Sequence, residues 1–357
     1  MKLKGGFSKR LITPDKPVEL WGYAEREGIS RGVLDDIYAK VLFLEDKQDS
    51  FAIIGLDLGG IDGRFAYEIK SRIASAVNIE AANISVSATH THSAPAGLEL
   101  RNAGLVDEQF IKNVYSECVD AVIEAQQNFE PVRVGYGAGA VNISMNRRQC
   151  AIESSPDLDR ESGTVDPVLR VIRIDRADSS PMAVIANYGM HPVTLRSDNL
   201  KISADFPGEF ARQIKESLGC DAMFLQGPCG DVIPKLFGTA GKMRTVGRHL
   251  GEKAIEICQK IESFDREELI TASETVPLPY ERPPSKQWLQ EFIKEIESDK
   301  DYRKSLWKRN DLEWARELLN IYDSGKKPAS HISAQVQLVR LGDIVIIFLP
   351  GEVFVET

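Results

Sequence analysis

The sequence predicts an α/β fold built on a mixed β-sheet flanked by helices. Three observations predict it. Apolar runs of strand length alternate with helical patterns through the middle of the chain. Two pairs of adjacent runs are joined by short polar turns and read as antiparallel hairpins, so the sheet is not purely parallel. Four apolar runs end in a Gly/Pro turn that carries a histidine or a carboxylate, and open α/β sheets place their sites outside the carboxyl ends of strands.

Each element follows from local pattern. Tyr38–Glu45 and Phe51–Leu58 form the first hairpin, and a helical pattern covers Arg64–Ala76. Ile84–Ala88 alternates as a strand does, and Glu108–Gln127 reads as a long helix. Val132–Val141 contains Gly135-Tyr136-Gly137-Ala138-Gly139. That run lacks the spacing of a dinucleotide loop and no helix start follows it, so its glycines mark a bulge or a close backbone approach. Strands at Val168–Asp175 and Met182–Asn187 precede a helix at Pro207–Leu218, a strand at Ala222–Gln226 and a helix at Arg244–Glu262. Leu269–Val276 is a further strand, and an inserted helical pair occupies 285–323, as Ser285–Ser298 and Tyr302–Asp323. Its aromatics, Trp288, Phe292, Trp307, Trp314 and Tyr322, fit a packed helical hairpin with solvated outer faces; a substrate lid is the alternative. Ala334–Leu341, the turn Gly342-Asp343 and Ile344–Leu349 close the chain with a second hairpin. There is no internal repeat, and 357 residues suffice for one large domain or two smaller ones.

Composition limits the functional classes. The 357 residues are 43% hydrophobic, enough for a large core. The net charge of −9, with no basic tract, argues against a nucleic-acid partner. No apolar run approaches the roughly 20 residues of a membrane span. The opening residues lack the apolar stretch of a signal peptide. Five widely spaced cysteines without a CxxC indicate neither a disulfide framework nor a zinc ribbon, and a reduced, cytoplasmic setting is expected. Cys229 alone falls in a candidate site loop; it reads as a small filler in preference to a nucleophile.

The chemistry concentrates at strand ends. His90 and His92, two of five histidines, follow Ile84–Ala88 at strand spacing and should project together. Such a pair can bind a metal, or divide metal binding and proton transfer between them; two hydrogen-bonded histidines at a strand end are the plain alternative. His191-Pro192 follows the apolar run Met182–Tyr188, Asp231 follows Ala222–Gln226, and Glu352 follows Ile344–Leu349. His, His and Glu are suitable zinc ligands that leave one position open. His249 and His331 read as ordinary surface or core residues.

Taken in order, these motifs resemble the neutral ceramidase family. Thr89-His90-Thr91-His92-Ser93-Ala94-Pro95-Ala96-Gly97 is similar to its THTHSGPxG signature. Ile12-Thr13-Pro14, the hairpin around Tyr38-Ala39-Lys40 and Leu44-Glu45-Asp46, Asn146-Arg147-Arg148, Gly189-Met190-His191-Pro192, Ser203 to Gly208, Gln226 to Pro234 and Leu349-Pro350-Gly351-Glu352 extend the resemblance along most of the chain. It implies that residues 1–357 form a single ceramidase-like catalytic domain with zinc held by His90, His191 and Glu352, and with His92 and Arg147 over the metal. It implies cleavage of the ceramide amide to sphingosine and a fatty acid. Three departures accompany it. Ile233 stands where the family has an active-site serine, and isoleucine has no hydrogen-bonding group. The sequence reaches Thr357 before any segment that could supply the family's tyrosine ligand. The family's C-terminal β-sandwich is not seen, nor is its secretion signal.

The expectation is therefore a zinc-dependent hydrolase of an amide or ester bond in a small-molecule or lipid-like acyl substrate. His92 would be the general acid/base, and Arg147 would stabilise the oxyanion or grip a carboxylate. Asn146 and Gln226 belong to the same set, as supporting or substrate-facing residues. Asp205 and Asp231 would orient a ligand histidine, the alternative for each being a cap or turn carboxylate. A true ceramidase, and a catalytically degenerate metal- or ligand-binding protein, remain open beside this reading.

Overall fold

The computed structural model describes residues 3–101, 103–152, 157–265 and 268–356. Strands β1 (Lys4–Leu11), β2 (Tyr38–Glu45), β3 (Ser50–Leu56), β4 (Ile84–Ala88), β5 (Glu130–Ala140), β6 (Ser144–Asn146), β7 (Val168–Arg176), β8 (Pro181–Tyr188) and β9 (Asp221–Gln226) carry the first two thirds of the chain. The main sheet runs β4-β3-β2-β1-β5-β7-β8-β9, while β6 pairs with the short β10 (Val232–Pro234). A two-residue strand, β11 (Phe264–Asp265), lies along β5. The sheet is mixed. The Tyr38–Glu45 hairpin with β3 is antiparallel, whereas β3 and β4 are parallel through α1 (Gly63–Ala76), and β8 and β9 are parallel through α3 (Phe206–Leu218).

The helices start where the chain supplies caps. Asp62 accepts from the Phe65 amide at α1, and Asp107 from the Phe110 amide at α2 (Glu108–Gln127). Thr239 does the same for Lys242 at α4 (Ala240–Lys260). Each such cap contributes about 1 kcal/mol. Helices α1 and α2 bury Phe65, Ile69, Val114 and Val122 against Val41, Phe43 and Ile54 on one half of the sheet. Helices α3 and α4 bury Phe206, Phe210, Leu250 and Ile257 against Val171, Val184 and Phe224 on the other half. The glycines of β5 are where α4 approaches closest. A Cβ at Gly135 would lie 2.3 Å from Ile261, and one at Gly137 would lie 2.7 Å from Ile257. Close backbone approach is thus their role.

Strands β12 (Leu269–Pro279), β13 (His331–Leu341) and β14 (Ile344–Phe348) form a separate three-stranded antiparallel sheet. Leu269, Val339, Leu341 and Ile344 pack it onto Leu42, Phe51, Ile53, Ile185 and Leu225 of the main sheet. Gln337 stitches it to the edge strand β4, donating to the carbonyls of Ala82 and Ile84 and accepting from the Ser85 hydroxyl. An otherwise open sheet edge is covered in this way. The predicted helical pair sits in the β12–β13 connection as α5 (Lys286–Ser298) and α6 (Leu306–Asp323). The second helix is shorter than its pattern suggested, because Ser305 caps α6 and leaves Tyr302–Lys304 as a separate turn. Trp288 stacks on Phe292 and meets Trp314 edge-on, so the aromatics tie the two helices together. Among the described residues, no helix is long and apolar enough to cross a membrane.

One feature of the sheet positions the site. It curls until its two edge strands, β4 and β9, lie against each other. The Met223 side chain of β9 fills the space over Gly55 of β3. The carboxyl ends of β4, β8 and β9 thereby open into one place.

Candidate metal centre

Three of the four turn-bearing strands belong to the main sheet, and the fourth, β14, belongs to the small sheet. Their loops nevertheless converge. His90 Nε2 and His191 Nε2 stand 3.0 Å apart. The Glu352 carboxylate reaches His191 Nε2 at 3.1 Å and His90 Nε2 at 3.4 Å. His191 is buried, His90 is part-buried, and the Glu352 side chain is 40% exposed.

The other ring nitrogens determine what these atoms can do. His90 Nδ1 bonds the Gly59 carbonyl, and His191 Nδ1 bonds the Cys229 carbonyl at 2.5 Å. A carbonyl only accepts, so both Nδ1 atoms carry the proton. In neutral rings both Nε2 atoms then present lone pairs, to each other and to a carboxylate. Burial, ahead of its charged neighbours, pushes the His191 pKa below the ordinary imidazole value. Neutral imidazoles and an ionised carboxylate are the protonation states a metal requires. Three acceptors facing one another without a donor repel, and a cation among them removes the repulsion. By this test the residues fit a divalent metal ion.

His92 lies beside the three donors. Its ring is part-buried among Trp21, Tyr23, His90 and His191, with centroid distances of 5.0–5.4 Å, and both ring nitrogens are buried. Among the described residues, neither ring nitrogen has a hydrogen-bond partner. Buried polar atoms left unsatisfied are rare and mark a place where a ligand belongs. Burial, followed by the adjacent His90 and His191, holds its pKa well below the ordinary value. The two histidines do not meet by strand alternation, however. The strand ends at Ala88, and His90 adopts a left-handed backbone with φ of 70°. A non-glycine residue held there is strained, and such strain gathers at functional sites.

Arg147 is held by its neighbours. Its amide donates to the Asp231 carbonyl and its Nη2 to the Gly230 carbonyl, at 2.7 and 2.6 Å. Asn146 is buried and builds the turn: Oδ1 accepts from the Arg148 and Gln149 amides, while Nδ2 donates to Thr164 and to the Asp231 carboxylate. Gln226 is a clasp between histidine loops, donating to the carbonyls of Thr89 and Met190.

Asp205 and Asp231 take the alternative role. Asp205 caps α3 and accepts from the Thr194 hydroxyl and the Leu195 amide, which fixes the turn after His191-Pro192. Asp231 accepts from Asn146 and from the Val355 amide. Backbone carbonyls orient the ligand rings instead, because the carbonyls of Gly59 and Cys229 stand in place at the ends of β3 and β9. Both carboxylates are occupied in holding loops. Ile233 is 5% exposed and packs with Met145 and Phe237.

Sequence reasoning missed three residues around His92. Trp21 and Tyr23 wall its ring, and Arg26 Nη2 donates to its carbonyl. The aromatic spacing of Trp21-Gly22-Tyr23 is the only signal they carried, and Gly22 is required there because a Cβ would lie 2.5 Å from the His92 ring. Cys229, read from the sequence as a small filler in a candidate site loop, lies at the centre itself. Its thiol and the donor atoms of His90, His191 and Glu352 all lie within 4.8 Å of one another.

Known proteins resemble this chain in sequence and in fold. The sequence model of the N-terminal region of neutral/alkaline non-lysosomal ceramidases matches residues 6–260. The neutral ceramidase of Pseudomonas aeruginosa is 24% identical over 248 residues, which are 65% of this chain and 37% of that protein. Neutral ceramidase A of Dictyostelium discoideum is 31% identical over 134 residues, 35% of this chain and 19% of that protein. The chain thus spans well under half the length of these curated relatives. The crystal structure of the Pseudomonas aeruginosa neutral ceramidase superposes with a TM-score of 0.73 at 19% identity, covering 97% of this chain and 62% of that one. At that identity the likeness is one of fold.

Proposed function

Because the chain belongs to the neutral/alkaline non-lysosomal ceramidase family, we propose that it is a zinc-dependent hydrolase of an amide or ester bond in an acyl compound. The observation that carries this reading is the convergence of His90, His191 and Glu352 as three acceptors with no donor among them. These residues would hold the ion. When bound, it would supply Lewis acidity toward a carbonyl and a water activated near neutral pH. Zinc suits two imidazoles and a carboxylate better than calcium or magnesium, which favour all-oxygen sites.

The chain's own residues would do the rest. His92 has two unpaired nitrogens in a dry wall of aromatic rings, so its neutral ring can take a proton and return it to the leaving group. Arg147, fixed through Asp231 and Gly230, would place positive charge beside the reacting carbonyl. Tyr23 and Trp21 exclude water from the His92 side.

The test is metal analysis of purified protein followed by an N-acyl substrate panel that includes ceramides. One zinc per chain and turnover of at least one acyl compound are expected. Protein that takes up no divalent ion would overturn the proposal. The names of the relatives favour ceramide as the substrate, and ceramide turnover well above every other compound would establish that second reading.

A further inference from the structure

A fourth donor lies beside the same centre. Cys229 Sγ, one ring nitrogen each of His90 and His191, and a Glu352 carboxylate oxygen form a group whose members are all within 4.8 Å of one another. We propose that Cys229 is a protein ligand of the ion, giving a two-nitrogen, one-oxygen, one-sulfur site; this rests on the metal centre proposed above.

The geometry is close to what such a site needs. Tetrahedral zinc has bonds of about 2.0–2.3 Å to these atom types, which puts its donors roughly 3.3–3.8 Å apart. The two histidines and Glu352 already meet that spacing within a few tenths of an ångström. The thiol lies within 4.8 Å of a donor atom of each of them, so a shift of about an ångström would bring it to that spacing.

The loop that carries Cys229 is tied to the other ligands. The Cys229 carbonyl orients His191, so ring and thiol are positioned by the same residue. The next residue, Gly230, donates its amide to the Val353 carbonyl at 2.9 Å, which binds the loop to the segment carrying Glu352. Gly230 has to be glycine for this, because a Cβ would lie 2.0 Å from the Phe354 ring. A metal, in turn, would give the buried Cys229 thiol a role. Cys229 is 2% exposed, so the thiol is poorly placed for reaction with external reagents. A soft donor would shift the site's preference toward zinc, cobalt and cadmium, and away from magnesium, calcium and manganese. Entry of a substrate would come from the Glu352 side, which is 40% exposed, and catalytic zinc sites can expand to five-coordination.

Cobalt replaces zinc in such sites and reports on sulfur directly. The full chain loaded with cobalt should show visible ligand-field bands together with a near-ultraviolet thiolate-to-cobalt charge-transfer band. Cys229→Ser should keep the visible bands and lose the charge-transfer band. Visible bands without charge transfer in the wild type would overturn the inference while leaving the metal centre intact. A charge-transfer band that survives in C229S would also overturn it, and failure to bind cobalt at all would overturn both readings. Should C229S not fold, X-ray absorption of the zinc-loaded wild type decides. A sulfur shell at about 2.3 Å beside nitrogen and oxygen at about 2.0–2.1 Å is expected, and a shell of nitrogen and oxygen alone refutes the assignment.

Discussion

The Nε2 atoms of His90 and His191 face each other at 3.0 Å, while the Nδ1 atoms of both rings are committed to backbone carbonyls. The residues are 101 positions apart in sequence, and each follows a different strand. Their opposed lone pairs make the arrangement unfavourable without a cation, and the first predictions follow from that.

His191→Ala removes one of the proposed ligands, the ring fixed by the Cys229 carbonyl. Its metal content should fall from about one ion per chain to a small fraction of that. Elemental analysis of both proteins after the same dialysis checks this; equal zinc in the two would exclude His191 as a ligand.

His92→Ala should keep the metal and lose activity by about 10²–10⁴-fold, the usual effect of removing a general acid/base. The ring lies against His90 and His191, but its nitrogens bond to no described residue. Zinc content and turnover of the best panel substrate are measured together. Loss of metal along with activity would make His92 a ligand and reverse the division of roles.

Asp231→Ala removes one of the two acceptors of the Asn146 side-chain amide and the side-chain acceptor of the Val355 amide. Breaking buried hydrogen bonds of this kind costs about 1–3 kcal/mol. The Tm should drop by several degrees, and metal affinity should weaken because Val355 lies three residues from Glu352. An unchanged Tm would show that the loop holds without this carboxylate.

Asp35 gives a pH test. Burial raises its pKa to about 7, against the hydrogen bonds from the Ser203 hydroxyl and the Ala204 amide that oppose the shift. Between the ordinary carboxylate pKa and about 7, the folded chain keeps a proton that the unfolded chain has released. Stability from this group is therefore complete at acidic pH and is lost as pH rises through that window. Asp35→Asn removes the effect, so its stability relative to wild type should improve on going from pH 5 to pH 8 by about 1–2 kcal/mol at this partly screened site. A difference independent of pH would refute the assignment.

Substrate preference is the fifth prediction. Ile233 packs with Met145 and Phe237 and offers no hydroxyl to a polar head group. A site that hydrogen-bonds a substrate hydroxyl discriminates strongly in favour of it, and Ile233 supplies no such bond. Small or polar N-acyl compounds should be turned over faster than short- or long-chain ceramides by the zinc-loaded protein. Ceramide turnover well above all polar compounds would reverse this and establish the second reading.

Local pattern was enough for most elements. Helix Glu108–Gln127 and strand Ile84–Ala88 match the structure residue for residue, because amphipathic spacing and caps are short-range properties. Strand β1 was not legible. Gly5 and Gly6 carry no side chain to mark an alternation, and Gly6 is needed because a Cβ there would lie 1.8 Å from the Ala125 carbonyl of α2. The motif residues His90, His191 and Glu352 were visible at strand ends, as was Arg147. Their union was not, since it depends on the curl that sets β4 against β9 and on a separate small sheet that carries the Glu352 segment. The left-handed turn at His90, the aromatic wall of His92 and the thiol of Cys229 are likewise tertiary facts. Sequence by itself determined which donors this protein has and where each strand delivers them. Only long-range packing decided which donors meet, because no local spacing encodes the distance between loops on opposite edges of a sheet.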